Sequence, residues 1–360
     1  ALYTQNKVKG APITVTKKHL TNGKAQAVIV NSGNANTCNA NGIEIAEGAC
    51  ELTAKALGIN VDDVIVASTG VIGQRMSLEP FEKNISILAE KLSRDGYNDA
   101  CDAIMTTDTR KKQFAVEFML DDKVCHLGGM SKGSGMINPN MATMLAFITT
   151  DANISSEMLH KALSEVNAVT YSMVSVDGDT STNDTLAAMA SGYAGNREIT
   201  SEGADYDIFV SALYSVMVMF AKETARDGEG ASKLIECTVM NAHNKETAKT
   251  AALSVINSPL LKAAMSAADA NWGRVMCALG YSEADFDVSK VSVDFASSVG
   301  RIRVCENGVG FDFSEDDAFK ILSEDEVKII IDLNEGNEHA VAWGCDLTYD
   351  YVKINAEYRS

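Results

Sequence analysis

The sequence predicts an α/β or α+β protein, and three observations support this fold class. Short runs typical of β-strands alternate along the chain with longer patterns typical of helices. The 360 residues are 46% hydrophobic, with 26 Gly and only 4 Pro, so the chain can bury a large core and is expected to form two domains. No internal repeat or low-complexity linker breaks the alternation.

The expected elements run almost the whole length of the chain. Strand-like runs cover residues 25–33, 62–73, 114–120, 144–150, 234–242, 290–297 and 327–333. Helical patterns cover residues 43–59, 79–93, 156–174, 212–225 and 258–280. The segment DGEGASK at 227–233 follows a long helical pattern and precedes a new strand, so it is the expected domain boundary.

Charge and hydropathy argue against two classes of partner. The chain has 31 Lys and Arg against 49 Asp and Glu, and its net charge of -18 repels phosphate backbones and anionic lipid surfaces. Apolar runs such as SALYSVMVMFA are shorter than the roughly 18 to 20 residues that span a bilayer, and no basic-then-apolar signal opens the chain. We therefore expect a soluble, cytoplasmic protein with no nucleic-acid or membrane partner.

The cysteines and histidines show no catalytic or metal-binding spacing. The eight cysteines contain no CxxC pair, which favours reduced thiols in a cytosolic core over a disulfide framework or a zinc site. The five histidines are scattered, and each is expected to be a surface or core residue: His19, His126, His160, His243 and His339.

The common catalytic motifs are also missing from the sequence. It contains no GxSxG, no HExxH, no GxxxxGKS or GxxxxGKT, and no GxGxxG between a strand and a helix. These absences argue against serine hydrolases, zinc proteases, P-loop enzymes and Rossmann dehydrogenases.

Glycine-rich loops at strand ends are the candidate sites of chemistry. They read NSGNANTCN, STGVIG and KGSGMINPNMA, and such turns can aim backbone N–H groups at a bound group, although a single loop usually only closes a turn. The run VDGDTSTNDT at 176–185 superficially suggests a calcium loop. Thr182 stands where the EF-hand needs glycine and Ala188 where it needs glutamate, so we expect a hydrogen-bonded turn that lines a pocket.

Thr143, in the segment NPNMATML, is a candidate nucleophile. If the peptide bond between Ala142 and Thr143 were cut, the freed α-amine, with an ordinary pKa of about 7.7 to 8.0, would act as the base for the Thr143 hydroxyl. The same hydroxyl can cut the chain by attacking the Ala142 carbonyl, because the resulting ester is then hydrolysed. The loop would then be a self-cleaving segment, and the strand that follows would hold the freed threonine.

Several motifs together resemble the ornithine acetyltransferases of arginine biosynthesis, of the bifunctional glutamate N-acetyltransferase type. They are VNSGNAN, ASTGVIG, MTTDT, KGSGMINPNMATMLAFITTDA, SVDGDTSTNDT, DGEGASK and WGCDLTYDYVKINAEYRS, and they extend from about residue 8 to the last residue. The resemblance implies self-cleavage before Thr143 and ping-pong transfer of acetyl from N-acetyl-L-ornithine, through acetyl-threonine, to L-glutamate. It implies no cofactor, and it leaves open whether acetyl-CoA is a second acetyl donor.

The resemblance also implies roles for individual residues. Thr69 and Gly70 match the oxyanion hole of the family, whose donors must face the developing oxyanion. The implied substrate-binding residues are Thr106, Lys132, Thr143, Glu229, Asn355 and Ser360. The last of these stands where the family commonly has threonine, and it keeps both a hydroxyl and the terminal carboxylate. Without the resemblance, Lys132 and Glu229 would be ordinary solvated charges.

The fold implied by the resemblance is a layered α/β/β/α sandwich with a smaller C-terminal α/β domain, as in the self-cleaving aminopeptidases and ornithine acetyltransferases. We expect the nucleophile-bearing domain to cover residues 1–232 and the smaller domain residues 233–360, with a tail that returns to the active site. The two fragments are expected to stay together as two copies of each, in a heterotetramer.

Two other functions fit the same residues. An N-terminal-nucleophile amidase or aminopeptidase would use Thr143 but pass the acyl group to water. A non-catalytic amino-acid-binding protein would keep its chain intact and bind ligand without turnover.

Overall fold

The computed structural model describes residues 1–138 and 144–357, so Ala142, Thr143 and Ser360 lie outside the described residues. In chain order the strands are β1 (Leu2–Tyr3), β2 (Ala27–Asn34), β3 (Val64–Val71), β4 (Lys112–Leu120), β5 (Lys123–Lys132), β6 (Leu145–Thr150), β7 (Val174–Ser175), β8 (Thr185–Ala190), β9 (Leu234–Ala242), β10 (Ser292–Ser297), β11 (Gly300–Glu306), β12 (Val309–Gly310), β13 (Glu326–Asp332) and β14 (Glu338–Cys345). The helices are α1 (Ala11–His19), α2 (Gly42–Leu57), α3 (Glu79–Glu90), α4 (Tyr97–Ile104), α5 (Ser156–Asn167), α6 (Ala204–Arg226), α7 (Lys245–Ile256), α8 (Pro259–Ser266), α9 (Trp272–Gly280), α10 (Glu315–Leu322) and α11 (Tyr349–Glu357).

The described strands form three sheets. The first has the order β1-β8-β6-β5-β4, the second has the order β12-β11-β10-β13-β9-β14-β7, and β2 pairs only with β3. The β2-β3 pair is parallel, and its register places Gly33 opposite Gly70. Parallel neighbours need a crossover, and α2 supplies it.

The described elements from β1 to α6, apart from β7, form a four-layer sandwich, which confirms the predicted α/β/β/α arrangement. Along β3, Val64 and Val66 pack with the helices α1, α2 and α3, while Ile65 and Ala67 point the other way and pack against β6. The same two-residue alternation continues in β6, whose Ala146 packs toward the layer of α5 and α6. The layers are therefore helices, the β2-β3 pair, the five-stranded sheet, and helices.

The C-terminal part of the chain builds most of the second large sheet. Residues 234–345 supply six of its strands, and β7 pairs with β14 at its edge. Its core is an apolar cluster that includes residues of α7, α8, α9 and α10. Helix α6 contacts β4 and β5 of the first sheet and β9 and β14 of the second, so it joins the two regions.

Some expected element bounds were wrong. The predicted helix 258–280 is two helices, because Ala268 takes a left-handed backbone with φ of 52°, which no α-helix continues. The predicted helix 156–174 ends at Asn167, and α6 begins eight residues earlier than predicted.

Strand β5 was missed because its glycines suggest a turn. A Cβ on Gly129 would lie 2.4 Å from the backbone oxygen of Phe147 in β6. Glycine is therefore required there for the close approach of a neighbouring strand.

The expectation that no segment is long enough to cross a membrane was wrong for α6. Among the described residues this one helix passes that test by length and composition, with 23 residues and a mean hydropathy of 1.4 over its most apolar window. Half of that window is buried inside the structure, and Phe209, Leu213 and Phe220 are fully buried. This is the packing of a core helix.

Candidate active site

Six of the predicted site residues line one pocket with a volume of about 170 Å³. They come from five separate parts of the chain: Thr69, Gly70, Thr106, Lys132, Glu229 and Asn355. The loop at 176–185 also lines the pocket, as predicted, through Asp177, Asp179 and Ser181 to Asn183. A larger cavity of about 710 Å³, beside Ala1 and His160, contains none of the predicted residues.

Thr69 and Gly70 lie at the end of β3, where its sequence changes from apolar to polar. Gly70 has φ of 121°, and a Cβ there would lie 2.3 Å from the carbonyl carbon of Gly33 on β2. Only glycine fits this close approach of two strands. The Thr69 hydroxyl is buried, and Lys132 Nζ lies 3.5 Å from its oxygen.

Lys132 is almost fully buried at the end of β5. Its Nζ donates to Thr106 Oγ1 at 2.7 Å and lies 3.6 Å from Asp108 Oδ2. Burial lowers the pKa of Lys132, although the Asp108 carboxylate acts in the opposite direction. The pocket thus contains a buried cation next to two hydroxyl groups.

Asp108 is a buried carboxylate that the sequence analysis did not single out. It accepts from Gly133 N at 2.6 Å, from Thr106 N at 3.2 Å and from Lys112 Nζ at 2.8 Å. Burial alone would raise the pKa of Asp108, but the Lys132 and Lys112 charges outweigh it and hold the pKa at about 2. The residue belongs to the MTTDT motif, so its neighbours in sequence were the available signal.

Glu229 and Asn355 bond to each other in the lining of the pocket. Asn355 Nδ2, on α11, donates to Glu229 Oε2 at 2.8 Å. Glu229 N donates to Ser134 O at 2.9 Å, which fixes the DGEG turn against the loop that follows β5. The tail of the chain therefore returns to the pocket as far as it is described.

The loop at 176–185 holds the chain on both sides of residues 139–143. On the N-terminal side, Asp177 accepts from Met136 N at 2.7 Å and from Ile137 N at 3.0 Å. On the C-terminal side, Asp184 Oδ1 accepts from Met144 N at 3.0 Å. Burial raises the pKa of both carboxyl groups, that of Asp184 well above its ordinary value.

Asn183 lies just before β8 and connects it to the ends of β2 and β3. Its Nδ2 donates to Ala35 O at 2.6 Å and to Ser68 O at 2.9 Å, and its Oδ1 accepts from Thr37 Oγ1 at 2.7 Å. The sequence analysis treated Asn183 only as part of the turn.

Within residues 1–138 and 144–357, no group of three or more His, Cys, Asp or Glu side chains could hold a metal ion.

The fold and the pocket together define a class of protein. A layered α/β/β/α sandwich with a smaller α/β sheet region, and a polar pocket at its strand ends, is the architecture of the ornithine acetyltransferase type.

Comparison with known proteins gives the same class. The family model described as the ArgJ family matches residues 1–360. Arginine biosynthesis bifunctional protein ArgJ 1 of Clostridium acetobutylicum is 50% identical over 359 residues, which are 99% of this chain and 88% of that protein. Arginine biosynthesis bifunctional protein ArgJ of Caldanaerobacter subterraneus is 48% identical over 361 residues, which are 100% of this chain and 90% of that protein.

A solved structure extends the comparison to three dimensions. The arginine biosynthesis bifunctional protein of Bacillus halodurans matches with a TM-score of 0.55 and 45% identity, over 58% of this chain and 97% of that one. The chain therefore belongs to the ArgJ family, as the motifs predicted, and it is an acyltransferase enzyme of arginine biosynthesis.

Proposed function

We propose that the enzyme moves the acetyl group of N-acetyl-L-ornithine to L-glutamate through an acetyl ester on Thr143. The observation that carries this proposal is the convergence of Thr69, Gly70, Thr106, Lys132, Glu229 and Asn355 on one pocket. The names of the relatives, which describe a bifunctional protein of arginine biosynthesis, support the pathway.

The charges of the pocket match a diamino-acid donor. Lys132 offers a cation for the α-carboxylate, and Glu229 offers an anion for the side-chain ammonium of ornithine. Lys132 bonds to Thr106 and Glu229 bonds to Asn355, and all four residues line the pocket. A donor with a carboxylate at one end and an ammonium at the other can meet both.

The proposed acetyl transfer takes place in two steps. Thr143 Oγ attacks the acetyl carbonyl, its proton passes through the α-amine of Thr143, and the amide C–N bond breaks to release ornithine with that proton. The α-amine of glutamate then attacks the ester, which frees the Thr143 hydroxyl and N-acetylglutamate. Thr69 Oγ and Gly70 N–H would stabilise the oxyanion in each step.

Self-cleavage between Ala142 and Thr143 is part of the proposal. Asp177 and Asp184 hold the chain just before and just after residues 139–143. The match to the Bacillus halodurans structure also agrees with two fragments. Since 58% of 360 residues is 97% of that chain, it has about 215 residues, close to the 218 from Thr143 to Ser360.

Thr143→Ala is the decisive test, because cleavage and transfer use one hydroxyl. The variant should remain one 38.4 kDa chain without transferase activity, whereas the wild type should give fragments of about 15 and about 23 kDa on a denaturing gel. Thr149→Ala, at an exposed position of β6, is the matched control and should cut and turn over normally. Edman sequencing of the larger fragment should read Thr-Met-Leu-Ala-Phe, and activity in an uncut Thr143→Ala chain would refute the proposal.

The amidase alternative uses the same nucleophile and differs only in the acceptor. Incubation with N-acetylornithine, with and without glutamate, separates the two functions. Glutamate-dependent formation of N-acetylglutamate supports the transferase, and acetate release that ignores glutamate supports the amidase.

Further parts of the proposal follow from membership of the family. We propose a cytoplasmic enzyme that needs no cofactor, with the division into domains at residues 232 and 233 and an assembly of two copies of each fragment. Acetyl-CoA, supplied without N-acetylornithine, tests whether a second donor is used. Size-exclusion chromatography with light scattering tests the assembly.

A further inference from the structure

A row of four buried side chains with alternating charge lies beside the pocket: Asp227, Lys112, Asp108 and Lys132. Lys112, the first residue of β4, has no exposed surface, and its Nζ lies 2.8 Å from Asp108 Oδ1 and 2.5 Å from Asp227 Oδ2. Asp108 in turn lies 3.6 Å from Lys132. Of these four charged groups only Lys132 lines the pocket, so the other three are not placed to touch a substrate there.

Near one end of this row, Asp108 fixes the part of the pocket that contains Thr106 and Lys132. Asp108 accepts from the backbone of Thr106 and of Gly133, and it faces the Lys132 ammonium. Both pocket residues that surround the proposed carboxylate site, Thr106 and Lys132, are therefore held by one carboxylate.

At the other end of the row, Asp227 joins the loop that carries Thr106 to the turn that carries Glu229. Asp227 ends α6 two residues before Glu229, and it accepts from Thr109 N at 3.1 Å and from Arg110 N at 3.3 Å. The Thr109 hydroxyl also donates to it. Asp227 thus holds the turn that carries Glu229 to the loop that carries Thr106, both directly and through Lys112.

Stability alone is a weak explanation for such an arrangement. Removing charges from water is costly, and well-packed apolar residues are often at least as stabilising as a buried ion pair. Two positive and two negative groups compensate each other here, and each carboxylate also accepts backbone N–H groups. The arrangement is suited to holding the loop that carries Thr106 and the turn that carries Glu229 in a fixed relative position.

We propose that Asp227, Lys112 and Asp108 are positioning residues that set the separation of Lys132 and Glu229, and so the length of diamino-acid donor that the pocket accepts. This inference rests on the proposed function, in which these two residues bind the two charged ends of the donor. N-acetyllysine, which is one methylene longer than N-acetylornithine, is the natural probe.

The test is a double variant, Lys112→Met with Asp227→Asn. It removes one positive and one negative charge, leaves Asp108 paired with Lys132, and keeps a carbonyl acceptor for Thr109 N. Discrimination of one methylene by a fitted site is worth roughly 10- to 200-fold. We expect the ratio of kcat/KM for N-acetylornithine over N-acetyllysine to fall at least about tenfold. General structural damage would lower both values together and leave their ratio unchanged.

Asp294→Asn is the matched control. Asp294 is a buried carboxylate on β10 that binds Arg301 and Arg303, away from the pocket, and its loss should leave the ratio unchanged. If the double variant does not fold, Asp227→Glu keeps the charge and adds one methylene, and it should also change the ratio. A folded variant of either kind with the wild-type ratio would overturn the inference.

Ligand affinity separates failure of this inference from failure of the proposed function. Calorimetric titration with ornithine and with lysine measures length selection without turnover. Wild-type protein that prefers ornithine but transfers no acetyl group would refute the proposed function, and the loss of this preference in the double variant would still support the positioning role. Wild-type protein that binds neither, or both equally, would overturn the positioning role itself.

Discussion

The four-layer sandwich and the seven-stranded sheet region use buried charge differently. In the sandwich, Lys112, Lys132 and Asp108 are buried side by side against the pocket. In the C-terminal region, Asp294 binds two arginines of its own sheet, and Asp346 binds the backbone of residues 232 and 233. These buried charges of the sandwich therefore lie together beside the site, whereas Asp294 and Asp346 close local hydrogen bonds in the second region.

The two regions also differ in what they give to the pocket. The sandwich supplies Thr69, at the end of a strand, and Lys132 next to it. These two buried residues are called the floor of the pocket below. The C-terminal region supplies Tyr351 and Asn355 from α11, a helix with no buried residue. These two residues, with Glu229 that Asn355 contacts, are called the rim of the pocket below. Substitutions on the floor should therefore cost more than substitutions on the rim, and the following predictions test this order.

The largest effect is expected at Thr69. A side-chain donor to an oxyanion typically contributes about 3 kcal/mol to the transition state, so Thr69→Val should lower kcat about 100-fold without unfolding the protein. Thr53→Val is the control, because this buried hydroxyl bonds to the Ala49 carbonyl of its own helix, α2. Normal turnover in a folded Thr69→Val enzyme would remove Thr69 from the mechanism.

Much of the fold could be predicted because its signals are local. Strand β3 begins with the continuous apolar run VIVA, β13 contains the run III, and helices such as α2 show a clear apolar face. The failures have physical causes that lie elsewhere in the chain. Gly129 lies in a strand because β6 approaches it closely, and that neighbour is not visible from the sequence around β5.

The site could be predicted only in part for a similar reason. The motifs located the residues that line the pocket, since each lies in a distinctive loop. Lys112 and Asp227 are 115 residues apart, and their contact depends on how α6 packs against β4. A lysine at the start of a strand suggests an exposed charge, so nothing near Lys112 in sequence indicates its burial.

The second largest effect is expected at Asp108, as a loss of stability at neutral pH that disappears in acid. The pKa of Asp108 is about 2 in the folded protein against an ordinary 3.8, so its charged form stabilises the fold above about pH 4 by about 2 kcal/mol. That stabilisation is lost as the pH falls through about 2. Asp108→Asn should therefore lower Tm most at pH 7, and the difference from wild type should shrink between pH 4 and pH 2.5. Calorimetry that shows a constant difference over this range would contradict the prediction.

The third effect concerns the charge on the rim of the pocket. If Glu229 faces the ornithine ammonium, Glu229→Gln should raise KM for N-acetylornithine about tenfold, the equivalent of about 1.4 kcal/mol, and raise KM for glutamate less. Glutamate has no side-chain cation, so it does not depend on this contact. Glu236→Gln is the control, because Glu236 lies on β9 and pairs with Lys222 of α6 and Lys328 of β13. Equal increases for both substrates would indicate a structural role for Glu229.

The smallest effect is expected at Asn355, on the rim and in the C-terminal region. Its amide donates to Glu229 at 2.8 Å and to the Tyr351 carbonyl at 3.0 Å, and its side chain is exposed to water, which can replace both bonds. At an exposed position, a hydrogen bond from a neutral amide to a carboxylate contributes about 0.5 to 1 kcal/mol, because water competes for both groups. Asn355→Ala should therefore raise KM for N-acetylornithine only about two- to fivefold and leave kcat near wild type. Steady-state kinetics with both donor and acceptor varied would show this. A loss as large as that expected for Thr69→Val would mean that α11 supplies catalytic groups, and the contrast between floor and rim would then be wrong.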